Sequence, residues 1–407
     1  GGNGGGGGGQ GGGSGGNGGG GGQATNPGAG QQQAPQGQDR TGVTAEKITF
    51  GLHAPVTGAA PLPVTSFEKS GDIYYRWVVD NGGDFLGRKQ VELLFRDDRY
   101  DPNSAIQVCR ELGAKAFTVA GGGGTDQLQA CGRYSNQAHI PYFSAGVTEA
   151  GLRGLDWYFA SSMSYKQQGI LLAQYVAKNF GGKKTAAILT DTPNFDDAVQ
   201  GWEQGVQEQG INYYKTLRHP KGDSSWYNSF ASDLKANGVE VVYILTAPVD
   251  YIRFAQQADQ QGFSPQYVGV GVSEALNAIL GSGCPEVDGG IFFSPFPGLD
   301  WARQNVPEFF EAGQQYNAPT DDIALALWGT AAINHELLQR YGEVFGNDLT
   351  REDFRAVVEQ QRDVSGGVFP PLNYSPDNHF GSSQVHVLQA DCGKGEHVTL
   401  ATFANGF

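Results

Sequence analysis

The chain has 407 residues, 39% of them hydrophobic, enough for two domains of ordinary size beyond a low-complexity start. Its 27 Lys and Arg stand against 42 Asp and Glu, a net charge of −15, and the basic residues are scattered. That pattern argues against nucleic acid and anionic membrane surfaces as partners.

Eighteen of the first 22 residues are Gly, and Gln, Asn, Pro and Ala dominate the rest of the first forty. Such a segment cannot bury enough apolar surface to offset its ordering entropy, so residues 1–43 are expected to form a disordered tether. The chain does not open on Met, its only one being Met163. A processed or engineered start is expected, and a removed export signal fits it. No apolar run is long enough to span a bilayer.

From Glu46 onward, short β-rich apolar runs alternate with helical segments. "KITFGLHA" reads as a strand, "GDIYYRWVVDN" as a helix stopped at Gly82 and Gly83, "QVELLFRDD" as a strand and "PNSAIQVCRELG" as a helix. "KAFTVA" is a strand running into Gly121–Gly124; the helix "TDQLQACGRYSNQ" and the strand "IPYFS" follow. Near-continuous apolar strands in a β-α-β-α rhythm predict a parallel sheet covered on both faces. After a break near 161–165 the rhythm restarts with a helix from about Lys166 to Phe180, followed by the strands "KTAAILT", "INYYKTL", "VEVVYILT" and "QYVGVG" with helices between them. The fold class is therefore α/β, with two doubly wound parallel-sheet lobes of similar size. Two long helices, "TDDIALALWGTAAINHELLQRYG" and "TREDFRAVVEQQ", precede a β-rich end, "GGVFPPLNYSP" and "SQVHVLQ".

Four cysteines are present. Cys109 and Cys131 fall on helices that become neighbours if the strand between them is parallel, and Cys284 and Cys392 lie in loop-like sequence. Disulfides 109–131 and 284–392 are the preferred pairing among three, with four buried free thiols as the alternative. No C-x-x-C spacing suggests zinc.

In open parallel sheets the loops at the strands' carboxyl ends form the ligand crevice. The strand "IPYFS" ends there in small residues: Ala145 and Gly146 let a ligand approach the backbone, and Thr148 offers a hydroxyl. The pattern recurs at Gly121–Gly124, before Thr125 and Asp126 open a helix. Neutral donors of this kind can hold a carboxylate without a buried cation.

Other motifs carry less. The Gly run lacks the Lys of a phosphate loop. Asp97, Asp98 and Asp101 lack the spacing of a calcium loop and read as a strand end followed by a polar turn. His379, His386 and His397 read as surface residues of the β-rich end. Neither a G-x-S-x-G elbow nor a Cys–His nucleophile pair occurs. No catalytic residue, metal or cofactor is expected.

Taken in order, "KITFGLHAPVTGAA", "LGRKQVELLFRDDRYDPNSAIQVCREL", "IPYFSAGVTEAGL", "KTAAILTDTPNFDDAVQGWEQ" and "PPLNYSPDNHFGSSQVHVLQ" resemble the periplasmic binding proteins of the leucine/isoleucine/valine type. The resemblance covers essentially everything after Glu46. It implies two lobes joined by a three-stranded hinge, lobe one being 44–162 plus 291–363 and lobe two 163–290 plus 364–407, with crossings near Ser162, Gly290 and Val364. It also implies an extracytoplasmic, monomeric solute-binding protein that delivers a small ligand to an ABC permease. A lipid anchor through a Cys ahead of Gly1 is part of that expectation, and a ligand-sensing receptor domain is the alternative.

The resemblance places carboxylate contacts at Gly123, Gly124, Thr125, Gly146 and Thr148, with Thr57 and Phe67 bordering the pocket. From lobe two it implies Phe195, then Thr246, Ala247 and Pro248, then Gly271, Ser273 and Glu274. Amino-acid binders of this type hold the ligand's ammonium with two acids. Here Tyr165 stands at the first of those places and Gly271 or Ser273 at the second, with Glu274 close by and equally readable as a first-turn helix charge. A buried ammonium without a paired carboxylate is costly, so an amide or a branched or aromatic carboxylate competes with an α-amino acid as ligand.

Overall fold

The computed structural model describes residues 39–271 and 273–407. Most of the expected tether lies outside them. Its last five residues do not behave as a tether, because they dock on the body. Asp39 Oδ2 accepts from Arg351 Nη1 at 2.9 Å, and Val43 bridges to Ile48. Arg351 is itself buried and donates to the carbonyls of Phe117, Gly113 and Ala116.

The first sheet holds β1 (Lys47–Ala54), β2 (Gln90–Asp97), β3 (Val119–Gly121), β4 (Tyr142–Ser144) and β5 (Tyr158–Ala160) in the order β2-β1-β3-β4-β5, all parallel. The second holds β6 (Thr185–Asp191), β7 (Tyr213–Pro220), β8 (Val241–Leu245), β9 (Gln266–Gly269), β10 (Ile291–Ser294), β11 (Val385–Asp391) and β12 (Glu396–Ala404) in the order β12-β11-β10-β9-β8-β6-β7. Its first five strands are parallel, and β11 and β12 add an antiparallel edge. Central strands such as β8, "VVYIL", are buried at every residue, as a sheet covered on both faces requires. The edge strand β2 is nowhere fully buried, and Lys47 pairs with its Glu92 at 2.7 Å.

The helices follow the same division. Around the first sheet lie α1 (Val64–Ser70), α2 (Ile73–Asp80), α3 (Pro102–Gly113) and α4 (Thr125–Gln137). With the second sheet come α5 (Tyr165–Asn179), α6 (Asp196–Gln209), α7 (Trp226–Ala236), α8 (Pro248–Gln260) and α9 (Asn277–Gly283). Then α10 (Leu299–Asn305), α11 (Pro307–Tyr316), α12 (Asp322–Phe345) and α13 (Arg351–Val358) return to the first, where Leu325, Trp328, Leu337 and Phe354 share one apolar cluster with Ile48, Phe50 and Leu52 of β1.

The chain passes between the elements of the two sheets at 161–164, 295–298 and 359–384. The second passage comes later than the expected Gly290, since "IFFS" forms β10 and pairs with β9 and β11. The third carries no strand at "GGVFPPLNYSP", only isolated bridges, because two consecutive prolines, Pro370 and Pro371, remove backbone donors there. It lies against the first passage: Phe380 bridges to Ala160, and Ala160 N donates to His379 O at 2.9 Å.

Each lobe holds one disulfide. Cys109–Cys131 ties α3 to α4, and Cys284–Cys392 ties the end of α9 to the turn between β11 and β12. The three late histidines are not surface residues. His379, His386 and His397 are buried, and burial pushes the imidazoles of His386 and His397 down to about 4, which keeps them neutral.

Candidate functional site

The carboxyl ends of both parallel sheets face one cavity of about 160 Å³. The loop after each of the ten parallel strands reaches its wall. From lobe one come Leu62 after β1, Tyr100 after β2, Gly122–Gly124 after β3, Ala145 after β4 and Ser161 after β5. Lobe two supplies Thr192 after β6, Lys221 after β7, Thr246 after β8 and Ser273 after β9, with Phe296 after β10.

The glycine loop packs tightly. A Cβ on Gly122 would come within 3.0 Å of Phe67, and one on Gly123 within 3.3 Å of Leu62, so these positions let apolar side chains close over the loop. Gly124, at φ +79°, is the N-cap of α4 and makes no side-chain cap. The first amides of that helix therefore keep their donors at the end where Gly123, Gly124 and Thr125 line the cavity.

Polar contacts cross the cleft. Asp126, in the first turn of α4, accepts from Asn194 Nδ2 at 2.7 Å and Thr192 Oγ1 at 3.0 Å, and its other oxygen from Lys221 Nζ at 3.1 Å. Burial acts to raise the Asp126 carboxyl, but the Asn194 bond and the Lys221 charge together hold it below the usual range. The Lys221 ammonium also sits 4.1 Å from the centroid of the Tyr100 ring. Farther along, Asp197 of lobe two accepts from Thr148 Oγ1 at 3.3 Å and from Glu149 N, and Asp322 of α12 accepts from Asn277 N at 2.6 Å.

Of the residues expected at the site, Phe67, Gly123, Gly124, Thr125, Tyr165, Phe195, Thr246, Ala247, Pro248 and Ser273 line this cavity. Five others do not. Thr57 binds Asp97 through its hydroxyl and lies exposed. Gly146 N donates to Ser162 Oγ at 2.9 Å, and the Thr148 hydroxyl is turned to Asp197 rather than to the cavity. Gly271, at φ +86°, leaves room for Tyr165, whose ring a Cβ there would meet at 2.5 Å. Glu274 sits in a short 3₁₀ turn, Ser273–Ala275, fully buried behind the wall, with Oε1 accepting from Thr246 N at 2.6 Å and Oε2 without a partner. Burial raises its carboxyl to about 8, against the opposing Thr246 amide, so it is mostly neutral at pH 7.

Missed by sequence reading was the far wall, formed by Ile323, Ala326, Leu327 and Thr330 of α12 together with Phe369. The i, i+3, i+4, i+7 spacing marks a helix face, but only packing tells which face meets the core and which the cavity. The aspartate cluster is structural. Asp97 accepts from Val56 N at 3.0 Å, Asp98 lies 2.7 Å from His53 Nδ1, and Asp101 caps α3 through Ser104 N at 2.7 Å.

A sequence profile of the periplasmic binding protein family matches residues 47–396. A Leu/Ile/Val-binding protein homolog from Brucella suis is 29% identical over 243 residues, 56% of this chain and 60% of that protein's length. The fold is shared with a fatty acid ABC transporter substrate-binding protein from Thermomonospora curvata (20% identity, TM-score 0.76, covering 91% of this chain and 95% of that one). It is shared equally with a branched chain amino acid ABC transporter protein from Thermus thermophilus that holds valine (16% identity, TM-score 0.76, covering 89% and 98%).

Proposed function

Because the chain belongs to the periplasmic binding protein family, in its leucine/isoleucine/valine-binding branch, we propose that it captures a small organic molecule outside the cytoplasm and hands it to an ABC importer. The ligand class is a branched-chain amino acid or a related amide or carboxylate. The observation that carries this reading is the convergence of all ten parallel strand ends on one cavity walled by both lobes. A ligand there is surrounded only when the lobes meet, so binding favours the closed state and closure is what the importer would read.

No covalent step is required. Thr125 and the neighbouring amides of α4 offer donors from lobe one, while Thr192, Lys221 and Thr246 close from lobe two. Among the described residues no helix is long and apolar enough to cross a membrane. A thermal-shift screen of the full chain against branched and aromatic amino acids, their amides and apolar carboxylates tests the proposal. At least one ligand should raise Tm by several degrees, as expected for a molecule that binds only the folded state. A flat response across the whole panel would refute it.

A further inference from the structure

The walls of the cavity divide by chemistry. Beside Thr125, hydrogen bonds gather Thr192 and Lys221 of lobe two on Asp126. Another part of the wall is apolar. Ile323, Ala326 and Leu327 form a stripe on α12, and Phe143, Phe296 and Phe369 belong with them to one contiguous cluster. The hydroxyl on that stripe, Thr330 Oγ1, donates to Ala326 O at 2.9 Å and so offers the cavity no free donor.

Nor, among the described residues, does the cavity offer an acid for an ammonium group. Asp126 is the one carboxylate they place on its wall, and both its oxygens are engaged by lobe two. Glu274 lies behind the wall on the Thr246 amide, and Asp322 is held by Asn277 N and Ile323 N. An α-ammonium placed here would lose its water without gaining a counter-charge, which is costly. A carboxylate would meet the uncapped amides of α4, the Thr125 hydroxyl and the N–H donors that Lys221 keeps beyond the one given to Asp126.

We infer that the ligand is an apolar monocarboxylate without an α-amino group, its carboxylate at Thr125 and Lys221 and its hydrocarbon body on the α12 stripe. This rests on the proposed solute-binding function and narrows its ligand class. Each added methylene on the stripe leaves water, so affinity should rise severalfold per carbon until the cavity is full.

Calorimetry on the full chain with acetate, butanoate, hexanoate, benzoate and leucine, repeated on Ala326→Phe, provides the test. Hexanoate should bind at least tenfold tighter than butanoate and at least a hundredfold tighter than leucine. Ala326→Phe should weaken hexanoate at least tenfold while moving butanoate much less. Leucine binding tighter than any carboxylate would overturn the inference and leave solute binding standing. So would hexanoate binding that Ala326→Phe does not touch. Leucine binding abolished by Glu274→Gln would place an ammonium at Glu274, again against the inference. Silence toward every compound here and in the wider thermal-shift panel would remove both readings.

Discussion

The two lobes wall the same cavity with different materials. Lobe one brings the glycine loop, Phe67, Phe143 and the aliphatic face of α12. Lobe two brings Thr190, Thr192, Thr246 and Lys221 beside Phe195. The apolar container is thus largely built by lobe one, and the lobes meet where Thr192, Asn194 and Lys221 of lobe two converge on Asp126 of lobe one. The difference teaches that size and shape selection can reside in lobe one while lobe two governs how tightly the cleft closes.

The same asymmetry runs through what holds each lobe together. In lobe one the disulfide Cys109–Cys131 joins adjacent helices across 22 residues, whereas in lobe two Cys284–Cys392 spans 108. By loop-closure entropy the longer bridge should be worth about 5 kcal/mol and the shorter roughly 3. Chemical unfolding of Cys284→Ala/Cys392→Ala should therefore show the larger loss, and of Cys109→Ala/Cys131→Ala the smaller. A reversed order would mean that the buried packing of α3 on α4, rather than chain entropy, sets the value of the lobe-one bridge.

Next in size is the buried acid of lobe two. Folding raises the Glu274 carboxyl from an ordinary value near 4.5 to about 8, so the folded state holds a proton that the unfolded chain releases between those values. Its contribution to stability is fully present below pH 4.5 and is lost as pH rises through about 8. Glu274→Gln keeps an oxygen for Thr246 N and has nothing to ionise. Each tenfold change in proton affinity is worth roughly 1.4 kcal/mol. The variant should therefore match the parent near about pH 5 and exceed it by a few kcal/mol near about pH 9, read from denaturant melts. Parallel pH profiles for the two proteins would show that Glu274 ionises without penalty.

The smallest effect tests the seam itself. Asp126→Ala removes three hydrogen-bonded partners of lobe two from lobe one and leaves Lys221 without its carboxylate. Ligand affinity should fall by about 1–3 kcal/mol, while the unliganded protein, whose lobes need not touch, should melt nearly unchanged. A drop in apo stability with intact affinity would make Asp126 a strut of α4 rather than a latch.

Much of this architecture was legible in the residues. Continuous apolar runs such as "VVYIL" and the regular return of glycine-terminated helices announce parallel sheets, because local burial on two faces leaves a local mark. The strand-end loops at 121–125, 195 and 246–248 were legible for the same reason, since strand ends are sequence features and ligands gather beyond them. Thr148 and Gly146 looked equivalent to these by composition. Their partners, Asp197 and Ser162, are 49 and 16 residues away, and no local pattern reveals that the donors are already taken.

What the chain alone determined, then, is the α/β plan with its two parallel sheets and the loops at their strand ends, with the cysteine pairing as a preference. Tertiary structure decided the rest. It put Glu274 behind the wall, buried three histidines that composition placed outside, and turned the face of α12 at 323–330 toward the cavity. The physical reason is range. Periodicity and turn chemistry act over a few residues, whereas burial, proton affinity and the choice between core and cavity depend on what distant segments bring alongside.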